Sequence, residues 1–347
     1  MSSFPNEYRF WDSWYLYEKT NNTFRALMLC AEQKYYEQGK HHEHSQLAYA
    51  CSNDLKNWRG HRKIALPLNI DSSIWTGSVI KWDNQYILAY TLRKTIDSYF
   101  AEQTICFATS INFKNWTKCK EEFKITDIDP EEKYFLRSPE PKRDRTVHAW
   151  RDPFLFVYKN QVFMLVAAKR KDLFNNCRAC VALFRAESSQ PLNFKWKLIC
   201  PSLIAGYEEL EVPQIYIDQE KGVVWIIAST WDDRDYEISW LRGNRPMVTS
   251  SPPAYRRHGY LLGFQISINK FDKLLSKKPS NVLKYNRLGL VESTVLVEPE
   301  AMFYAGRIVP ERNETILGFD PRTGETKVVK RKQSKNFDYL FPSAHKY

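Results

Sequence analysis

Three acidic residues that are far apart in the chain each stand directly before a predicted β-hairpin. They are Asp12 in Phe10-Trp-Asp-Ser-Trp14, Asp152 in His148-Ala-Trp-Arg-Asp-Pro153, and Glu211 in Glu208-Glu-Leu-Glu-Val-Pro213. If a fold brings them together, they cannot all ionise without cost, because like charges raise one another's pKa. One carboxyl then stays protonated as a general acid while another attacks as an anion, which is the pair that glycosidases use. The three residues are therefore the candidate catalytic groups.

Residues beside these carboxyl groups have the chemistry to hold a sugar. A guanidinium would keep Asp152 ionised, tryptophan rings would offer flat apolar walls, and hydroxyl groups would bind sugar hydroxyls. On these grounds the candidates are Arg151, Trp11, Trp14, Trp75, Thr76 and Ser78. The last three belong to Trp75-Thr-Gly-Ser78, which precedes a further hairpin.

Five predicted β-hairpins must position these side chains. Each consists of two apolar strands around a short polar turn, and no long helical period interrupts them. They span residues 14–29, 79–91, 154–167, 214–228 and 303–319. Five such hairpins can be the inner strands of the five blades of a β-propeller. In that fold the first strand of each blade begins or ends beside the central channel, so equivalent positions of successive blades converge on one axial cavity. We expect Asp12, Asp152 and Glu211 to occupy such equivalent positions.

A repeated segment follows the hairpins and favours a propeller. Leu47–Trp58 and Ile105–Trp116 both read as a strand, a Ser/Asn turn and a tryptophan that begins the next strand, with a weaker echo from Cys180 to Trp196. Self-similarity of this kind indicates a repeat architecture. Together with the hairpins it predicts an all-β fold, a five-bladed β-propeller with a central axial cavity. A two-sheet sandwich is the alternative, and the repeat period fits it less well.

The chain shows no linker that would divide it into domains. We predict one catalytic domain over residues 1–347, with the propeller at about 10–320 and a basic C-terminal segment at 321–347. The polar stretch Trp231–His258 reads as a long insertion between strands, and long loops in compact β domains are often functional.

Composition excludes several classes of protein. The chain has 347 residues, a net charge of +11, 43% hydrophobic and 15% aromatic residues, which rules out dominant disorder, a collagen-like chain and a coiled coil. No apolar run approaches the roughly 18 residues of a membrane span, and Met1–Trp14 resembles no secretory signal, so we predict a cytosolic protein without a membrane partner. Basic residues are spread along the chain and are dense only at Lys327–Lys335, so a nucleic-acid partner is not expected.

The spacing of cysteine and histidine residues predicts no metal-binding or cofactor-binding site. Seven scattered cysteines do not form a disulfide framework, and Cys177 with Cys180 favours two thiols on a strand over a redox or zinc pair. The tract from His41 to His44 has metal-binding composition, but its setting reads as an exposed loop, from which His44 is the better candidate for a contact at the rim of the site.

The motifs together resemble the five-bladed propeller glycosidases that act on fructosides, the invertase-type β-fructosidases (family 32) and the levansucrase-type fructosyltransferases (family 68). The motif at 11–14 is close to the levansucrase nucleophile motif, and that at 75–78 resembles Trp-Ser-Gly-Ser of both groups. Arg-Asp-Pro at 151–153 matches the shared transition-state-stabiliser motif, and Glu209 to Pro213 resembles the acid/base motif. Phe303-Tyr304-Ala305 resembles a later invertase segment. The order agrees from residue 10 to about 320.

This resemblance implies a retaining glycoside hydrolase that acts on sucrose or fructo-oligosaccharides without a metal or cofactor. Asp12 would be the nucleophile, Glu211 the acid/base and Asp152 the stabiliser of the transition state, with about 5–5.5 Å between nucleophile and acid/base. Further substrate contacts would come from Arg151, Glu209, Tyr304 and, from the long loop, Arg234.

The sequence departs from both families at a few positions, which leaves other functions open. Tyr15 replaces a proline, and Val212 replaces the Arg or Cys after the acid/base. We also expect no room in these 347 residues for the invertase C-terminal β-sandwich. These differences bear on substrate and acceptor preference. Transfer of the fructosyl group is compatible with the same residues. The alternatives are a furanosidase related to arabinan or xylan enzymes, which mostly invert, and a propeller that binds sugar without turnover.

Overall fold

The computed structural model describes most of the chain. The residues described are 7–69, 71–95, 101–137, 149–172, 178–188, 195–207, 209–231, 259–276, 293–297, 304–312, 315–319 and 326–330. The predicted contact from Arg234, nearly all of the loop that contains it, Cys177 and most of the basic C-terminal segment lie outside these residues.

The described residues form five antiparallel sheets. Four sheets have four strands each: β1 Tyr8–Glu18, β2 Thr23–Glu32, β3 Gln46–Ser52 and β4 Arg59–Ile64; β5 Ser72–Trp82, β6 Gln85–Thr95, β7 Ala101–Ser110 and β8 Thr117–Phe123; β9 Trp150–Tyr158, β10 Gln161–Lys169, β11 Ala179–Ala186 and β12 Trp196–Tyr207; β13 Glu211–Asp218, β14 Val223–Trp231, β15 Gly259–Ser267 and β16 Ser293–Val297. The fifth sheet has β17 Tyr304–Val309, β18 Thr315–Phe319 and β19 Thr326–Lys330. Short helices lie between strands: α1 Gln33–Glu37, α2 Ile125–Ile128 and α3 Ile268–Leu275. In the described part of the chain, no helix is long and apolar enough to cross a membrane.

The sheets are the blades of a ring. The first strands β1, β5, β9, β13 and β17 contact one another in that order, and β17 returns to β1. The Tyr15 hydroxyl donates to the Ile308 carbonyl at 2.9 Å across this last junction, between blades 1 and 5. The prediction of a five-bladed β-propeller is therefore confirmed, and each predicted hairpin forms the first two strands of one blade.

The repeated segment is the turn between the third and fourth strands of blades 1 and 2. Asp54 and Asn112 each accept two backbone N–H groups with one side-chain oxygen, at 2.8 to 2.9 Å. Each turn then ends on a tryptophan indole that donates to a carbonyl three residues earlier, at 3.1 Å for Trp58 and 3.2 Å for Trp116. The fourth strand begins at the next residue, one position later than the sequence predicts.

Aromatic packing between blades fixes the backbone near the axis. Trp150 is fully buried among rings of Phe123 and Phe184, with centroids 5.3 and 5.7 Å away, and its indole donates to the Phe123 carbonyl at 3.0 Å. Truncation of such a side chain costs about 3–5 kcal/mol. Because Trp150 directly precedes Arg151 and Asp152, this anchor between blades 2 and 3 sets the position of both.

Candidate active site

The first strand of every blade carries a β-bulge near its start. The residues without a partner on the second strand are Asp12; Thr76; Asp152 and Pro153; Val212 and Pro213; Ala305 and Gly306. A bulge bends its strand and redirects a side chain, and bulges are common beside active sites. Five bulges at the same level of a ring therefore direct their side chains toward a common centre.

The bulges correct one detail of the sequence prediction. Asp12 and Asp152 do occupy equivalent positions, but the equivalent residue of blade 4 is Val212, and Glu211 lies one position earlier. Its own equivalent in blade 5 is Tyr304. Because Val212 is apolar, the sequence motif does not show that the bulge of blade 4 lies there and not at Glu211.

Four of the five bulges contain a residue with a left-handed backbone conformation. The φ angles are 40° at Asp12, 55° at Asp152, 50° at Val212 and 50° at Ala305. Such backbone is uncommon outside glycine, it is an outlier for a β-branched valine, and it costs on the order of 1–3 kcal/mol per residue. Strain repeated at the same level of four blades, with two carboxylates among the strained residues, makes this end of the propeller the candidate functional site.

Asp12 is buried, with 8% of its surface exposed, and its two oxygens differ. Oδ2 accepts a hydrogen bond from the Thr76 hydroxyl, whereas Oδ1 has no partner among the described residues. Burial raises the pKa of Asp12 to about 7; the Thr76 hydrogen bond and Arg307 oppose this rise, and the charge of Asp152 adds to it. Asp12 is thus a carboxyl with one anchored oxygen and one buried oxygen that no hydrogen bond holds.

Asp152 is held by backbone and by a neighbouring cation. Its Oδ2 accepts the Val212 N–H at 2.9 Å and lies 3.7 Å from the Arg151 Nε. Its own N–H donates to the Thr91 hydroxyl at 2.9 Å. Burial raises the pKa of Asp152, while Arg151 and the Val212 N–H favour the anion.

Glu211 is bound at both oxygens. Arg151 Nη2 donates to Oε1 at 2.8 Å, and the Tyr304 hydroxyl donates to Oε2. Burial raises the pKa of Glu211 to about 7 against the pull of Arg151, and the charges of Glu209 and Asp152 add to the rise. This carboxyl can therefore carry a proton near neutral pH.

An ion-pair chain lies behind Glu211. Arg151 Nη2 also binds Glu209 Oε2 at 3.0 Å, and Glu209 Oε1 binds Lys169 Nζ at 2.7 Å. Lys169, at the end of β10, is completely buried, and burial lowers its pKa while Glu209 opposes the shift. Sequence reasoning missed Lys169; its only signal is a lysine that ends an otherwise apolar strand.

Several predicted sugar contacts have partners within the protein, among them Trp14, Thr76 and Ser78. Trp14 is 2% exposed and packs in the core, the Thr76 hydroxyl is used by Asp12, and the Ser78 hydroxyl accepts the Leu155 N–H at 2.7 Å between blades 2 and 3. Gly77, between the last two, has no space for a side chain, because an added Cβ would lie 2.1 Å from the Ala89 carbonyl oxygen. These residues build the site's support, which differs from the direct sugar contact that we expected of them.

A histidine loop from blade 1 reaches the tryptophans of the site. His41 lies edge-on to Trp11 with centroids 5.1 Å apart, His42 lies 5.3 Å from Trp75, and the His42 carbonyl accepts the Trp75 indole N–H at 2.8 Å. His44, the candidate for a contact at the rim, stacks on Tyr35 of α1 with ring centroids 3.7 Å apart. Among the described residues, no group of three or more His, Cys, Asp or Glu side chains has the geometry to hold a metal ion.

The site therefore combines a carboxyl with one oxygen that no hydrogen bond holds (Asp12), a carboxyl bound at both oxygens (Glu211) and a carboxylate beside Arg151 (Asp152), and burial raises the pKa of all three. Arg151 contacts both Asp152 and Glu211. Asp12 is linked to Asp152 through Thr76 and Thr91: the Thr76 hydroxyl donates to Asp12, and the Thr91 hydroxyl donates to the Thr76 carbonyl and accepts the Asp152 N–H. This arrangement has the parts for acid-assisted displacement at a sugar carbon.

Comparison with known proteins gives a family and a fold. The glycosyl hydrolases family 32 N-terminal domain matches residues 33–238, more than half of the chain, a range that includes Asp152 and Glu211 and begins after Asp12. No curated protein sequence matches the chain.

Solved structures share the propeller at low sequence identity. Bacillus subtilis levansucrase is 13% identical with a TM-score of 0.61, over 94% of this chain and 85% of that one. A Bombyx mori β-fructofuranosidase of family 32 is 14% identical with a TM-score of 0.53, over 90% of this chain and 57% of that one. The Schwanniomyces occidentalis β-fructofuranosidase is 14% identical with a TM-score of 0.52, over 91% of this chain and 52% of that one. This chain thus spans between half and three fifths of the length of the two β-fructofuranosidases. A variant of the Bombyx mori enzyme and a levansucrase variant have been solved with sucrose bound. By the match over more than half of its length, the chain belongs to glycosyl hydrolase family 32.

Proposed function

We propose that this protein is a retaining glycosidase that transfers the fructosyl unit of sucrose or a short fructo-oligosaccharide to water, and to a sugar acceptor where one is present. The observation that carries the proposal is the different hydrogen bonding of its carboxyl groups: Asp12 has one oxygen that no hydrogen bond holds, whereas each oxygen of Glu211 accepts a hydrogen bond, from Arg151 or from Tyr304. Retaining glycosidases need this division between nucleophile and acid.

In the first step, Asp12 Oδ1 attacks the anomeric carbon of the fructofuranosyl unit. Thr76 holds Oδ2, so the carboxylate approaches in one orientation. The bond from the anomeric carbon to the leaving oxygen breaks as the bond to Oδ1 forms. Glu211 gives its proton to the leaving oxygen, which departs as a sugar hydroxyl.

In the second step, Glu211 acts in the opposite direction. Now an anion stabilised by Arg151 and Tyr304, it removes a proton from water or from an acceptor hydroxyl. The oxygen so activated attacks the anomeric carbon and releases Asp12. Two displacements restore the configuration of the substrate, which is why the product retains it.

Asp152 stabilises positive charge on the sugar during both steps. Its hydrogen bond from Val212 N–H and its proximity to Arg151 favour the anion, which interacts with an oxocarbenium-like transition state more strongly than with the neutral substrate. Arg151 and Glu209 are the candidates for contacts with sugar hydroxyls beside it.

Product analysis tests this function. After incubation with sucrose, a short fructo-oligosaccharide and an arabino-oligosaccharide, we expect turnover of the fructosides only, with β-fructofuranose as the first product by NMR. Equal release of glucose and fructose indicates hydrolysis, and an excess of glucose with new oligosaccharides indicates transfer. Turnover of the arabinoside alone, or inversion of the product, would contradict the proposal.

A further inference from the structure

A buried arginine lies behind the carboxylates and has no role in the steps above. Arg307, on β17 of blade 5, has only 1% of its surface exposed. Burial of an unpaired guanidinium is costly, so its surroundings must compensate the charge. Nothing in the motifs singles it out.

The guanidinium joins the bulges of other blades. Nη1 donates to the Pro213 carbonyl at 2.9 Å and lies 3.5 Å from the Val212 carbonyl, and Nη2 donates to the Gly77 carbonyl at 3.3 Å. Its central carbon lies 5.2 Å from the centre of the Phe154 ring. These residues follow directly on, or belong to, the bulges of blades 2, 3 and 4. Arg307 therefore lies at the centre of the ring, at the level of the bulges.

The groups that act on this cation are the two bulge carboxylates and a tyrosine. Asp152, Asp12 and Tyr15 favour its charged form, and burial lowers the pKa of Arg307 to about 10, which leaves it charged at neutral pH. On Asp12, the charged groups that act are Asp152, which disfavours the anion, and Arg307, which favours it. The geometry agrees, because Arg307 Nη2 donates to the Gly77 carbonyl and the hydroxyl of the adjacent Thr76 donates to Asp12 Oδ2. Arg151, by contrast, is bound to Glu209 and Glu211.

The charges of the site balance only with Arg307 included. Four carboxyl groups, those of Asp12, Asp152, Glu209 and Glu211, meet three cations, those of Arg151, Lys169 and Arg307. With Glu211 protonated for its role as acid, three anions face three cations. Without Arg307 the buried site would hold one excess negative charge, and Asp12 is the group that would take up a proton.

We propose that Arg307 is a positioning residue that keeps the nucleophile Asp12 ionised and ties the bulges of blades 2 and 4 to blade 5. Its rigid fork of donors suits it to bind two backbone carbonyls while its charge faces the carboxylates. This role rests on the proposed function of Asp12.

Two substitutions separate the charge of Arg307 from its hydrogen bonds. Arg307→Lys keeps the charge and Arg307→Gln removes it, and both lose the forked donor group. Both are measured in the Glu211→Gln background with an aryl fructoside, so that the titration of Glu211, whose pKa is also about 7, does not overlap with that of Asp12. We expect the acid limb of the pH profile of kcat/KM to stay within a few tenths of a unit in Arg307→Lys and to move about 1–2 pH units upward in Arg307→Gln. A role in packing alone predicts lower kcat in both variants with the acid limb unchanged, which would overturn the proposal.

A stability experiment tests the same pairing without activity, and it covers the case in which Arg307→Gln does not fold. In the Asp12→Asn background, where the anion is already gone, Arg307→Gln should lower the urea midpoint at pH 8 by less than it does in wild type, or should fold where the single variant does not. An equal loss in both backgrounds would overturn the pairing. Absence of fructoside turnover in wild type would contradict the proposed function alone, since this measurement does not use it.

Discussion

Replacement of Asp12 by asparagine is expected to lower kcat for sucrose by on the order of 10⁴-fold or more, because the amide cannot form the covalent bond that divides the reaction into two steps. Thr76 can still donate to the amide oxygen, so the local structure should survive. The measurement is steady-state release of fructose at neutral pH. Activity within tenfold of wild type would exclude Asp12 as the nucleophile.

The fold of this variant can be tested through its stability. The pKa of Asp12 is raised from 3.8 to about 7, so the folded state binds a proton more tightly than the unfolded chain. The ionised carboxylate therefore destabilises the fold as pH rises through this range, and neutral asparagine removes that cost. We expect the variant to melt no lower than wild type at pH 8, with an advantage that shrinks toward pH 4.

Asp83→Asn is the matched control for Asp12→Asn. Asp83 also has left-handed backbone, with φ of 50°, but it is exposed in the turn between β5 and β6. Asparagine tolerates this conformation, so both kcat and melting temperature should match wild type. A large loss of activity in this control would show that the exchange of Asp for Asn acts through the fold.

Replacement of Glu211 by glutamine is expected to lower kcat/KM for sucrose by roughly 10²–10⁴-fold, the usual contribution of general acid catalysis. The loss should be much smaller for an aryl fructoside, whose phenolate leaves without a proton. Glutamine still accepts from Arg151 or Tyr304 at its oxygen, so the pocket keeps its shape. Equal losses on both substrates would show that Glu211 has another role.

The pH profile gives a second measure of the same variant. In wild type the pKa of Glu211 is raised to about 7, so the required proton is lost above that pH and kcat/KM should fall along an alkaline limb. This limb should be absent in Glu211→Gln and present in Glu220→Gln, a control at the exposed turn after β13. An alkaline limb that persists in Glu211→Gln would assign it to another group.

The sequence was sufficient to predict the propeller and the proximity of three acidic residues in it. The number of blades follows from five hairpins with alternating apolar residues and from the repeated turn that ends at Trp58 and Trp116. Each of these is a local sequence pattern that recurs from blade to blade. Ring closure then brings Asp12, Asp152 and Glu211 together without any signal in their separation along the chain. The positions of the bulges could not be predicted from such a pattern. Val212 is an apolar residue without a reactive group, and its strained φ is seen only in the structure.

Residues that compensate charge were not predictable in the same way. Lys169 and Arg307 lie in apolar strands, and their partners come from other blades. A motif shows the groups that react, whereas the groups that hold them are defined by contacts across the ring. For the same reason Trp14 and Ser78 read as sugar contacts in the sequence but are buried against the protein itself.

The most direct test of the account is to identify the residue that becomes covalently attached to the sugar. Glu211→Gln incubated with an aryl fructoside should accumulate the intermediate, since the leaving group needs no acid and the second step lacks its base. After rapid denaturation and proteolysis, mass spectrometry should find one fructosyl unit on the peptide that contains Asp12, and none when Asp12→Asn is combined with Glu211→Gln. A fructosyl unit on another residue, or turnover to an inverted sugar with no adduct at all, would contradict the account.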